Sequence, residues 1–170
     1  RTYQQNKEVF DHYRELGDTI WHYTCCSPGG KWLNRLLDGE LLRPRLLHWG
    51  NYRFDLEGYL HWGFNYWGHD QPDVREAANA VINEGTTLLP PGGTHICYPG
   101  NKNGPWMSLR AEMMRLGCED FELLRMVSRK DKAKADALCQ NVMRAFDDYV
   151  ADPIPFEENY IKLLEAADQA

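Results

Sequence analysis

Apolar residues recur at helical spacing over Tyr3–Leu16, where Val9, Phe10, Tyr13 and Leu16 form one stripe and Gly17 is placed as a C-terminal stop. The spacing predicts a first helix there. The pattern then shortens to period two. "DTIWHYTC" is rich in β-formers and sets Trp21, Tyr23 and Cys25 against Ile20, His22 and Thr24, which predicts a strand buried on both faces. "SPGG" (Ser27–Gly30) ends it, and helical or irregular segments are expected over Trp32–Leu37 and Leu41–Trp49, around Pro44. A second strand is predicted over Gly58–Phe64, a helix over Val74–Ile82, a turn at "LLPPGG", and a third short strand in "THICYPG". Ser108 is placed to cap a long helix in which Leu109, Met113, Leu116 and Leu124 keep near-helical spacing and Gly117 is an interruption. Helices over Asp131–Val150 and Pro155–Ala167 close the chain.

Short strands alternating with helices or long connections are the signature of a parallel sheet with crossover helices. Long excursions follow the strands' C-terminal ends, where β/α barrels carry their active-site loops. The predicted fold class is therefore α/β, a half barrel with about three parallel strands. Residues 1–127 would form the partial barrel and 128–170 a helical extension of the same domain. The chain opens at Arg1 and is inside a helical pattern by Tyr3, so more chain is expected upstream. An edge beside Trp21 and Tyr23 would then be unpaired, and these residues alone would tend to associate through it.

Composition narrows the function classes. With 170 residues and 43% hydrophobic content, a single buried core is attainable. The net charge of −6 and the lack of any Lys/Arg block argue against nucleic acid as a partner. No apolar run approaches the ~18 residues that would span a membrane. Five cysteines without a CxxC spacing indicate neither a paired disulfide framework nor a zinc cluster, and they read as small buried thiols. His22, His48, His61, His69 and His95 fall into no HxH or HExxH spacing, so no metal and no cofactor are expected. The compartment stays open; a signal peptide further upstream would make the protein secreted or periplasmic.

Candidate chemistry concentrates in one stretch, since eight aromatic residues lie between Trp49 and Trp67. Tyr59, Leu60 and Phe64 are expected in the core. Beyond Phe64 the chain leaves the strand, and Trp62, Asn65 and Trp67 either pack or form the rim of a sugar site, in which indole faces stack on C–H faces and an amide takes hydroxyl or acetamido groups. Tyr23 and Tyr98 hold equivalent positions at the other strand ends, where a phenol either donates to a sugar oxygen or is a buried residue with one satisfied hydrogen bond. These five are the candidate substrate-binding residues. No catalytic residue is assigned: there is no GxSxG elbow, Asp70 is the nearest loop carboxylate, and Glu119, Asp120 and Glu122 fall within a predicted helix.

Four stretches taken together, "WHYTCCSPGG" (Trp21–Gly30), "RPRLLHWGNYRFDLEGYLHWGFNYWG" (Arg43–Gly68), "YPG" (Tyr98–Gly100) and "SLRAEMMRLGCEDFELL" (Ser108–Leu124), resemble in order and spacing the C-terminal part of the catalytic domain of glycoside hydrolase family 123. The resemblance covers about Val9–Leu124. It implies the finer fold reading, the C-terminal half of a (β/α)8 TIM barrel with extra C-terminal helices, and β-N-acetylgalactosaminidase-type chemistry on a β-linked N-acetylhexosamine glycan. In that chemistry the substrate's 2-acetamido oxygen attacks the anomeric carbon, an Asp orients the acetamido group and the adjacent Glu protonates the leaving oxygen. This sequence has no Asp followed directly by Glu, so the resemblance places that pair upstream, in the other half of the barrel, and leaves the present residues inactive by themselves. The alternative is a non-catalytic carbohydrate-binding or scaffold protein on the same fold.

Overall fold

The computed structural model describes residues 1–67, 82–83 and 87–170. Six helices and several short strands are present among them: α1 (Thr2–Gln5), α2 (Lys7–Glu15), β1 (Trp21–Tyr23), α3 (Arg43–Phe54), β2 (Gly58–Leu60), β3 (Ile82–Asn83), β4 (Thr87–Leu88), β5 (Cys97–Asn101), β6 (Gly104–Met107), α4 (Leu109–Lys130), α5 (Lys132–Val142), β7 (Met143–Ala145), β8 (Asp148–Tyr149) and α6 (Pro153–Asp168). The fold is a mixed α/β arrangement. No helix is long and apolar enough to cross a membrane among the described residues. The helix expected over Val74–Ile82 lies outside the described residues up to position 81, as does Asp70.

The three C-terminal helices each start on a side-chain cap, whereas α3 carries Pro44 in its first turn and has no capping side chain. Ser108 Oγ accepts the Ala111 N–H at the head of α4, Asp131 Oδ1 accepts the Lys134 N–H at the head of α5, and Asp152 Oδ1 accepts the Ile154 N–H at the head of α6. The same Asp131, extended at φ −143°, separates α4 from α5. The core lies where α3, α4, α5 and α6 converge: Leu46, Leu47 and Trp49 meet Leu124, Val127, Leu138, Cys139, Phe156 and Leu163. Asp120 is fully buried there and holds three donors, Arg45 Nε at 2.6 Å, Arg45 Nη2 at 2.8 Å and Trp49 Nε1 at 2.7 Å.

Gly117 does not interrupt α4, which runs through it. A Cβ there would stand 2.5 Å from the Arg45 carbonyl oxygen and 2.8 Å from His48 Cδ2, so the missing side chain is what lets α3 and α4 cross closely. Gly117→Ala gains helix propensity but forces the pair apart, and a net loss of about 1–3 kcal/mol is expected in urea denaturation. An unchanged or raised midpoint would mean that the crossing has slack.

Three expectations are corrected. The sheet is not three parallel strands: among the described residues only β1 and β2 pair in parallel, Trp21 with Gly58 through Tyr23 with Leu60. The third strand, in "THICYPG", instead forms the antiparallel hairpin β5–β6, and Asn65 bridges His95 antiparallel just before it. Secondly, β1 is not buried on both faces. His22 and Thr24 are buried, whereas Trp21 and Tyr23 are 59% and 50% exposed, because helical packing covers one face of the β1–β2 pair. Leu60, expected in the core, is exposed for the same reason, and Phe64, also expected there, lies beyond the pair and is exposed. Thirdly, the helix predicted over Asp131–Val150 stops at Val142, and the hairpin β7–β8 follows. It turns Met143 and Phe146 inward onto Gly50 of α3, where any Cβ would stand 2.6 Å from the Phe146 ring.

Candidate functional site

The parallel pairing of β1 and β2 makes both strands deliver their chains to the same end, and the candidate residues are arranged around that exit. Thr24 N–H donates to Leu60 O and Thr24 Oγ1 lies 2.6 Å from Tyr59 Oη, so the two strands stay clamped as they leave the sheet. Past the clamp the chain at 63–67 runs beside 94–97: Ile96 N–H donates to Phe64 O at 2.8 Å and Tyr66 N–H to Thr94 O at 3.2 Å. Gly63 is required at this approach, since its Cβ would fall 2.4 Å from the Thr94 carbonyl oxygen.

Tyr23, Trp62 and Asn65 are exposed on this end of the molecule. The Tyr23 ring centroid is 6.4 Å from that of His61, and the Trp62 indole packs on Tyr66 at 5.6 Å. Phe64 is 56% exposed as well, so the aromatic ledge at this end is made of two separate ring pairs and one further exposed ring. Trp67 and Tyr98 are only partly exposed. The Trp67 indole N–H donates to Cys97 O at 2.9 Å, which gives that side chain a task in fastening 63–67 to β5, and Tyr98 meets the His95 ring edge-on at 5.4 Å. Trp67 and Tyr98 are thus brought together through Cys97 and His95, while Tyr23 joins Trp62 only through His61, the residue before it.

Beneath the ledge is a polar base absent from the sequence-derived candidates. Arg35 and Arg110 are 2% and 4% exposed. Arg35 Nη2 donates to His61 Nδ1 at 2.7 Å, and Gly63 N–H donates to the same nitrogen at 3.2 Å, so Nδ1 is the acceptor and the imidazole is neutral with its proton on Nε2. Arg110 donates to the carbonyls of Arg35, Gly92 and His95. Burial, reinforced by Arg35, pushes the His61 imidazole down to about 3, and burial with Arg110 and Arg35 pushes His95 down to about 4. Neither ring stores a proton near neutrality, so this base orients the rim and supplies no acid or strong base. An Arg within the apolar runs "WLNRLL" and "SLRAEMM" was the available signal for such buried guanidinium groups.

Of the carboxylates in the helix "CEDFELL", Asp120 is bound to Arg45 and Trp49 in the core, and Glu119 and Glu122 pair with Arg115 and Arg125 at the surface. Among the described residues no three of His, Cys, Asp and Glu gather as a metal site. Among the described residues, what this end presents is an aromatic, amide-bearing surface.

The glycoside hydrolase 123 catalytic domain model matches residues 1–127. No curated protein matches the chain. Among solved structures, a family 123 glycoside hydrolase from Clostridium perfringens, whose structural analysis details glycolipid glycan hydrolysis, superposes with a TM-score of 0.61 at 17% identity. The match covers 96% of this chain and 29% of that one, so the present residues span less than a third of that enzyme's length. The fold is shared at that level, and the family match extends over most of the sequence, through the β1–β2 exit, the aromatic ledge and α4. The chain belongs to glycoside hydrolase family 123.

Proposed function

We propose that this chain supplies the aromatic wall of the sugar pocket in a retaining, metal-independent β-N-acetylhexosaminidase acting on β-linked N-acetylgalactosamine. The observation that carries the reading is the ledge of Tyr23, Trp62 and Tyr66 at the common exit of two parallel strands, in a chain of this family. β1 and β2 are read as neighbouring strands of a (β/α)8 barrel whose other strands come from a longer chain; the open outer face with Trp21 and Leu60 supports a partner element there. The catalytic Asp and Glu would stand on an upstream strand. The substrate's acetamido oxygen then attacks the anomeric carbon as the Glu protonates the leaving oxygen, and the Asp holds the acetamido group. The present residues would hold the ring: Trp62 and Tyr23 by stacking, Asn65 through its amide, Trp67 and Tyr98 by completing the wall. A close apolar wall favours the attacking pose and excludes water. That the Clostridium perfringens enzyme works on glycolipid glycans makes such glycans the first substrates to try.

In the full-length protein, Trp62→Ala is expected to weaken N-acetylgalactosaminide binding roughly tenfold, the scale of one aromatic stacking contact. Turnover with unchanged KM would remove Trp62 from the wall. Sugar binding without turnover, in a protein lacking an upstream Asp-Glu pair, would replace the hydrolase by the carbohydrate-binding reading.

A further inference from the structure

Cys25 and Cys26 follow β1 directly, and their Sγ atoms lie 3.8 Å apart. Cys26 is exposed and Cys25 half-buried. The remaining cysteines are elsewhere: Cys97 and Cys139 are buried, and Cys118 is on α4 with its Sγ 3.7 Å from His48 Nε2. The main chain around the pair is fastened on both sides. Thr24 N–H donates to Leu60 O, Cys25 N–H donates to Ser27 O at 2.9 Å, and Asn34 Nδ2 donates to the carbonyls of Cys25 and Pro28, each at 2.9 Å. The thiols themselves are held only weakly, Cys25 by a 3.6 Å contact to Ser27 O. A fixed backbone thus presents two free, adjacent, accessible sulfurs, and Cys25 borders a cavity of about 550 Å³ that Tyr23, Ser27, Pro28 and Trp32 also line.

We propose that Cys25 and Cys26 are a reversible oxidation site that closes to a vicinal disulfide by exchange with a small-molecule disulfide such as oxidised glutathione. The sulfurs need to approach from 3.8 Å to ~2.05 Å, which side-chain rotation achieves together with a local adjustment of the Cys25–Cys26 peptide. In the first step the more exposed Cys26, as thiolate, attacks one glutathione sulfur; the Cys26–glutathione bond forms, the glutathione disulfide breaks, and the released thiolate takes up the proton that Cys26 lost. In the second, Cys25 loses its proton and attacks Cys26 Sγ, expelling the other glutathione as a thiol. Two protein thiols are oxidised by two electrons, and one external disulfide is reduced to two thiols. Burial and the neighbouring Cys25 sulfur hold the Cys26 thiol above its ordinary range, so exchange is slow near neutrality and quickens as pH rises. Adjacent Cα atoms are ~3.8 Å apart, closer than disulfides ordinarily span, so a thiol reductant reopens the ring readily.

Both cysteines fall on one tryptic peptide, Glu15–Lys31, which contains no other cysteine. The folded full-length protein is equilibrated with oxidised glutathione at mildly alkaline pH, alkylated, digested and mapped by mass. The expected result is that this peptide loses two hydrogens, resists alkylation and regains both thiols on reduction. Cys25→Ser is expected instead to retain glutathione on Cys26, since no neighbour displaces it. A wild-type peptide that keeps glutathione, links to another cysteine, or stays fully alkylable while Cys118 is oxidised would overturn the proposal.

Discussion

Asp120→Ala is expected to destabilise the protein by about 3–5 kcal/mol, the cost of leaving a buried charge without its partner. Arg45 is 7% exposed; its Nε and Nη2 both donate to Asp120, and its guanidinium lies 4.8 Å from the Phe156 ring centroid and 4.4 Å from that of Tyr160. Removing Asp120 therefore strands a cation at the junction of α3, α4 and α6 and frees the Trp49 indole N–H as well. Typical domain stabilities of ~5–15 kcal/mol leave little margin for such a loss. Arg115→Ala is the control. Its pairs with Glu112 and Glu119 lie on the solvated face of α4, and little or no change is expected. Equal, small effects of the two substitutions in chemical denaturation would show that Asp120 does not organise the helical core.

Acid should unfold the protein well above the range in which carboxylates titrate. Burial holds His22, His48 and His95 down at about 4 and His61 at about 3, from an ordinary value of 6.5. The sign follows from proton uptake. Below pH 6.5 the unfolded chain protonates these imidazoles while the folded one does not, so stability is fully present above 6.5 and falls as pH drops towards about 4. His22 alone, packed between the Tyr59 and Phe146 rings with Nε2 donating to Asn51 Oδ1 at 2.8 Å, accounts for on the order of 3 kcal/mol across that window. Denaturation midpoints should hold level from pH 7.5 to about 6.5 and fall between there and pH 4.5, and His22→Gln should lessen the slope. A flat profile would mean that the histidines are hydrated in the folded state.

Some of this molecule is written locally. Ser108 was recognisable as a cap because a hydroxyl before an apolar periodic run meets a backbone N–H only a turn away, and the structure has that bond. Trp21–Tyr23 and Gly58–Leu60 were recognisable as strands from β-rich composition, and four motifs sufficed to point to the family that the 1–127 match establishes. Tyr23, Trp62 and Asn65 were placed by the same local logic at the strand exit, where the structure exposes them. Trp67 was legible as a large ring near that exit, but its bond to Cys97 O, 30 residues on, was not.

What tertiary structure alone decided depends on distant partners. Period-two alternation separates Trp21 and Tyr23 from His22 and Thr24, yet it cannot say which set is covered; the helical packing covers only the second. Strand propensity in "THICYPG" carries no direction, and hydrogen bonding to 64–66 and to β6 made it antiparallel. Apolar spacing ran on past Val142, but Phe146 and Met143 gained more by filling the space over Gly50 as a hairpin than by continuing a helix. Arg35 and Arg110 became a single buried base through a bond across 75 residues. Caps, periods and turns are settled by energies acting within a few residues of chain, so the sequence determined those by itself. Coverage, strand direction and burial of charge are settled by which remote surfaces exclude water from one another, and only the folded structure decided them.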